Sequence, residues 1–177
     1  MINYKYFQFA APPRTGSTWV MKAAELAGLG HGSKTHLHVP FRNEKDAILR
    51  VSMVRNPVTW LQSYYQSIRG GSISVPVVDV LTKLDFSEFD TFVDSYLEQT
   101  SGALGRIVEG YYADTYLRME DLPWSFIELV ETVQPLYPSG IKLLPSQNIS
   151  NTKPYVTEYQ RKAILEAESE LVERFEY

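Results

Sequence analysis

A chain of 177 residues, 44% hydrophobic and 21% charged, has the length and composition of one globular domain able to bury its own core. Its formal charge of −4 speaks against a general binder of nucleic acid or anionic membrane, so an anion site must be a local gathering of Arg and Lys. With no cysteine there are no disulfides and no thiolate metal ligands. Residues 1–5 lack the apolar core of a secretion signal, and no apolar run reaches membrane-spanning length. The expectation is a cytoplasmic protein with no membrane partner.

In chain order, Tyr6-Phe7-Gln8-Phe9-Ala10 reads as a strand and residues 20–27 as a helix ended by Gly28-Leu29-Gly30. Residues 33–39 read as strand or extended loop. The apolar run 47–54 predicts a strand covered on both faces. Asn56-Pro57 opens a helix, Asn as N-cap and Pro at the first helical position, running through Trp60, Leu61, Tyr64, Tyr65 and Ile68. Residues 69–84 form a loop. A helix from Phe86 carries Phe89, Phe92, Val93, Tyr96 and Leu97 on one face, and another spans 104–111. A strand at 115–119, a helix at 122–133 and a last helix over 156–175, with Tyr159, Ala163, Ile164, Ala167, Leu171 and Phe175 as its apolar stripe, complete the chain. The βαβα order predicts an α/β domain, residues 1–177, with a parallel sheet and right-handed crossovers.

Between the first strand and first helix lies Ala-Pro-Pro-Arg-Thr-Gly-Ser-Thr-Trp, Ala11 to Trp19. A strand, a tight Gly-containing turn and a helix start gather backbone N–H groups at the positive end of a helix dipole, a ready anion site. Arg14 adds a full cation, and Ser17 and Thr18 add hydroxyls. This is no Walker A element, which needs Lys directly after its second Gly; Gly16 is followed by Ser-Thr-Trp. A second cluster is Val54-Arg55-Asn56-Pro57 through Ser63-Tyr64-Tyr65. Arg55 closes a predicted parallel strand, where α/β sheets bind ligands. Ser63 lies seven residues, two helical turns, past Asn56 and so on the same helix face. A third is Lys34-Thr35-His36-Leu37-His38-Val39-Pro40, rich in groups able to donate or accept protons near neutral pH. His31, His36 and His38 do not form a metal-ligand pattern with a nearby carboxylate.

The first loop resembles the 5′-phosphosulfate loop of the sulfotransferases, Pro-Lys/Arg-Ser/Thr-Gly-Ser/Thr-Thr. The second cluster resembles that family's Arg-Asn-Pro followed by Ser eight residues after the Arg, and the third its Lys-Thr-His-Leu-Pro segment. Thr115 to Asp121 and Asn148-Ile149-Ser150 also look like family elements. The family's C-terminal Arg-Lys-Gly motif is missing, with Lys153 a weak substitute.

The resemblance implies a P-loop-NTPase-like three-layer fold with a central parallel sheet flanked by helices. It implies use of 3′-phosphoadenosine 5′-phosphosulfate (PAPS), release of 3′-phosphoadenosine 5′-phosphate (PAP), and no required metal. Arg14, Thr15, Gly16, Ser17, Thr18, Trp19, Arg55 and Ser63 would bind the nucleotide, Trp19 against adenine. Catalysis would fall to Arg14, Lys34 and His36, with His38 and Glu25 as other candidates for the base. The acceptor would be a small molecule or glycan bearing a hydroxyl or amine, and no nucleic acid. A non-catalytic PAP-binding module and a small-molecule kinase are the competing readings; the kinase lacks placeable Mg²⁺ ligands and a P-loop Lys.

Overall fold

The computed structural model describes residues 1–31, 37–41, 49–71, 79–133, 141, 144–145 and 153–177. They form two compact units, one built from 1–55 and 110–149, the other from 56–109 and 150–177.

The first unit is α/β. Its strands β1 (Ile2–Asn3), β2 (Phe7–Phe9), β3 (Leu49–Val54) and β4 (Thr115–Arg118) form one sheet in the order β1-β2-β3-β4. The parallel pairs are β2–β3, with Phe9 opposite Val51, and β3–β4, with Val54 opposite Arg118. The sheet is mixed rather than purely parallel, because β1 runs antiparallel to β2, Ile2 opposite Phe9. The tight turn in which Tyr4 N donates to Phe7 O leaves no length for a crossover, so β1 folds straight back. Every side chain from Val51 to Val54 is buried, as the apolar run predicted.

Helices α1 (Ser17–Leu26) and α6 (Trp124–Val133) supply the remaining core of this unit. Val20, Ala23 and Ala24 from α1 and Phe126, Ile127 and Val130 from α6 cluster with Phe7, Phe9, Val51, Met53 and Leu117 of the sheet. Full burial of each large apolar side chain contributes about 1.5–3 kcal/mol. β4 stops at Arg118, where Met119–Asp121 form a 3-10 turn before α6. At the other end of the parallel ladder, Arg50 donates through its backbone N and Nη2 to the Asp114 carboxylate, both at 2.8 Å, holding the start of β3 against the approach to β4.

The second unit is helical: α2 (Pro57–Arg69), the single turn α3 (Asp79–Thr82), α4 (Phe89–Gln99), α5 (Ala103–Glu109), α7 (Glu158–Ala167) and α8 (Ser169–Phe175). Asn56 caps α2 as its sequence predicts, its side chain accepting from Val58 N at 3.1 Å with Pro57 at the first position. Tyr65 of α2 packs its ring against Phe86, Phe89 and Phe92. Helix α4 begins three residues later than Phe86, because Asp85 takes Ser87 N at 2.8 Å in a turn.

The expected last helix is two. It breaks at Glu168, which leaves helical geometry and is 2% exposed. Its carboxylate turns inward, accepting from Tyr96 Oη, from Leu104 N at 3.2 Å and from Gly105 N at 2.9 Å. An acid from α7's end thereby caps the first turn of α5. Tyr159 does not join the apolar stripe. It is 81% exposed, while Gln160 is buried, closing a capping box with Thr157 and donating to Asp90 at 2.9 Å. Residues 37–39 form turns rather than a strand, and 33–36 lie outside the described residues.

Candidate functional site at the ends of β2 and β3

The parallel ladder puts the carboxyl ends of β2 and β3 side by side, and the chain leaves β2 directly into the Ala11–Gly16 loop. Three bonds pin that loop. Ala10 N donates to Val51 O at 3.2 Å, Ala11 N to Leu37 O at 3.0 Å, and the Thr15 hydroxyl to Pro12 O at 2.7 Å. Thr15 is fully buried, and its hydroxyl closes the loop.

Two residues turn the chain through the left-handed region: Arg14 at φ 68° and Gly16 at φ 95°. Glycine is required at 16 on two counts. L side chains rarely adopt its φ, and a Cβ there would stand 3.2 Å from both Met119 Cγ and Met53 Cε. Gly16 is also the N-cap of α1, and no side chain caps that helix from this position. Its carbonyl accepts from Trp19 N at 2.9 Å and Val20 N at 3.4 Å.

Arg14 is half-buried at the loop's apex, and burial holds its guanidinium below the ordinary arginine value; it stays charged at any physiological pH. Arg55, 7% exposed, reaches across from the end of β3 and donates through Nη1 to the Arg14 carbonyl oxygen at 2.9 Å. The two arginines that the sequence assigns to separate clusters are thus in contact. Arg118, opposite Val54 at the end of β4, is engaged by Asp121 at 3.3 Å.

Of the other expected residues, Ser17 is buried and Thr18 half-buried on the first turn of α1. Trp19 is a core residue, 6% exposed and edge-to-face with Phe126 at 5.8 Å between ring centres. Ser63 is buried on α2, in the second unit. Lys34 and His36 lie outside the described residues. Glu25 stands near the far end of α1 from the loop, exposed and paired with His31 at 3.2 Å, which removes it as a base at this loop.

His38 has the geometry that sequence left as second choice. Its Nδ1 lies 2.7 Å from Ala11 O. A carbonyl only accepts, so Nδ1 carries the hydrogen and Nε2 of the neutral ring presents its lone pair. The His38 carbonyl accepts from Tyr111 Oη at 3.1 Å, holding the same residue from its other side. Burial lowers the imidazole pKa below its ordinary 6.5; the Ala11 bond opposes this and the N-terminal ammonium adds to it. The ring is therefore neutral, and able to take a proton, at neutral pH.

Among the described residues no helix is long and apolar enough to cross a membrane. Comparisons with protein-family models, with curated proteins and with solved structures found no match.

Proposed function

We propose that this chain is a sulfotransferase that binds PAPS at the Ala11–Trp19 loop and moves its sulfuryl group to a hydroxyl or amine of a small-molecule or glycan acceptor. The observation that carries the reading is the 2.9 Å bond from Arg55 to the Arg14 carbonyl. It joins the two motifs at the carboxyl ends of adjacent parallel strands, where α/β folds bind nucleotides. On this reading the α/β unit is of the P-loop-like three-layer kind.

The donor set fits an anionic nucleotide. The first turn of α1 has no side chain hydrogen-bonded as its N-cap, and Arg14 and Arg55 both lie at the loop. Bound PAPS supplies an activated sulfuryl group whose bond to the 5′-phosphate breaks as a bond to the acceptor oxygen or nitrogen forms. Arg14 neutralises the charge left on the 5′-phosphate, together with the N–H groups of residues 15–18 and with Lys34. Arg55 takes the 3′-phosphate. A histidine of the 36–38 segment accepts the acceptor's proton: His36 by its motif, or His38 by the orientation of its ring. A sulfuryl group carries less charge than a phosphoryl group, so cationic side chains suffice without Mg²⁺. Trp19, being core, is left out of the adenine contact.

Thermal shift with PAP and with Mg-ATP, followed by transfer of labelled sulfate from PAPS to a mixed acceptor pool, tests this. Stabilisation by PAP together with labelled product supports the reading. PAP binding without transfer indicates a binding module, preference for Mg-ATP indicates a kinase, and indifference to PAP overturns the reading.

A further inference from the structure

The break between the last two helices gives them two very different sides. Ile164 of α7 and Leu171 of α8 are buried, and the Glu168 carboxylate between them is drawn in toward α4 and α5. The opposite side of the same helices carries an open groove of about 480 Å³. Leu165 and Val172, both half-buried, give it an apolar floor. Around that floor the charges are sorted by position. Arg161 and Lys162 stand in the first half of α7, while Glu166 on its last turn and Glu173 on α8 stand toward the other end. Glu158, the first residue of α7, lies beyond the cations, where an acid suits the positive end of the helix dipole.

These cations are only loosely engaged within the chain. Arg161 Nε is 3.9 Å from Glu158 and Lys162 Nζ 3.8 Å from Glu166, both longer than a hydrogen bond and both between exposed side chains. Tyr159, three residues before Lys162, is 81% exposed and adds to the basic end a residue type enriched at protein interfaces. A surface with cations at one end, acids at the other and an apolar strip between them complements itself when inverted. A partner of a single charge sign would meet attraction at one end and repulsion at the other.

We propose that the groove face of α7 and α8 is a self-association surface, on which two copies of this chain dock antiparallel about a two-fold axis. The Arg161–Lys162 end of one copy then meets the Glu166–Glu173 end of the other, and the Leu165 and Val172 floors come together. The long stems of Arg161 and Lys162 cover apolar surface while their charged ends reach across. This surface is independent of the anion loop and of any nucleotide. Two short helices offer a small patch, at the low end of specific interfaces, so the dimer is weak and forms at high protein concentration.

Sedimentation equilibrium of the full chain, from micromolar to millimolar concentration, tests this with charge reversals. Arg161→Glu with Lys162→Glu makes the rim acidic throughout, and Glu166→Lys with Glu173→Lys makes it basic throughout. Each doubly substituted chain should lose self-association, its Kd rising by about tenfold or more as facing pairs become repulsive. Mixed in equal amounts, the two should form a heterodimer, and the chain carrying all four substitutions should dimerise as wild type does. Should like charges one turn apart melt α7, seen by circular dichroism, Arg161→Gln with Lys162→Gln and Glu166→Gln with Glu173→Gln take their place, and weaker self-association of both is the expected result. A wild-type chain that stays monomeric at millimolar concentration, undiminished association of either substituted chain, or a mixture of the two reversed chains that stays monomeric overturns the proposal.

Discussion

Replacing Gly16 with Ala perturbs the loop at its tightest point, and its cost has two separable parts. The first is backbone. At φ 95° an L residue gives up about 1–2 kcal/mol relative to glycine. The second is packing. The new methyl would meet Met119 Cγ and Met53 Cε at 3.2 Å each, and Leu122 Cδ1 at 3.5 Å. Thioether side chains yield by leaving their preferred rotamers, which costs ~0.5–1.5 kcal/mol. The sum is about 1.5–3.5 kcal/mol, or a fall in Tm of roughly 3–14 °C for a chain of this size. Gly28→Ala is the internal control, because Gly28 sits at φ 68° with nothing within 4 Å of its would-be Cβ, and so pays the backbone part alone. Urea and thermal denaturation of both variants give the difference, and PAP titration of Gly16→Ala should show affinity reduced by roughly tenfold or more. If Gly16→Ala is no less stable than Gly28→Ala and binds PAP as wild type does, the loop is not shaped by this glycine and the reasoning fails.

Arg14→Ala should lower turnover by about 10²–10³ with the fold intact, the usual effect of removing a preorganised charge-stabilising donor, checked by steady-state transfer assays beside circular dichroism. Trp19→Phe should lower denaturation midpoints while leaving PAP affinity unchanged, since the ring packs on Phe126; a selective loss of PAP binding would restore the adenine contact. Glu168→Ala strips the acceptor from Tyr96 Oη and two amides and should destabilise by about 3–5 kcal/mol in urea titrations. Burial raises the Glu168 pKa, so the folded state holds its proton to higher pH than the unfolded state; this contribution is present at low pH and fades as pH climbs through the raised value, a slope that Glu168→Gln should flatten. His38 has the opposite sign of slope: its lowered pKa means the unfolded chain binds the proton first, so stability falls as pH drops below 6.5, and His38→Asn should remove that loss.

The strand, turn and helix start of residues 7–26 were legible because their ingredients are local: a strand pattern, a turn glycine and a helix start in close succession leave few ways to fold. The Asn56-Pro57 helix start was legible for the same reason, since cap and first-turn proline act within one turn. What sequence missed depends on distant partners. Nothing local in Glu168 announces that Tyr96 and the start of α5 will claim its carboxylate, although its place between Ile164 and Leu171 on the apolar face was a signal available in the spacing. His38 is oriented by Ala11, 27 residues away, and by Tyr111, 73 residues away, distances at which periodicity says nothing. Trp19, at core spacing on α1, is buried against Phe126, because burying an indole in a packed interior is favoured over leaving it exposed. The contact between Arg55 and the Arg14 carbonyl follows from the β2–β3 pairing, which places the ends of both strands together once the register is known.

The brevity of β1 has a bearing on how the molecule behaves in a crowded solution. Sheet margins are where foreign chains dock by strand addition, and each docked residue gains from the ladder it extends. A margin of two residues, Ile2 and Asn3, offers an invading strand almost no ladder to extend before the hairpin turns away. On that side the described sheet is guarded against fibrillar growth by shortness.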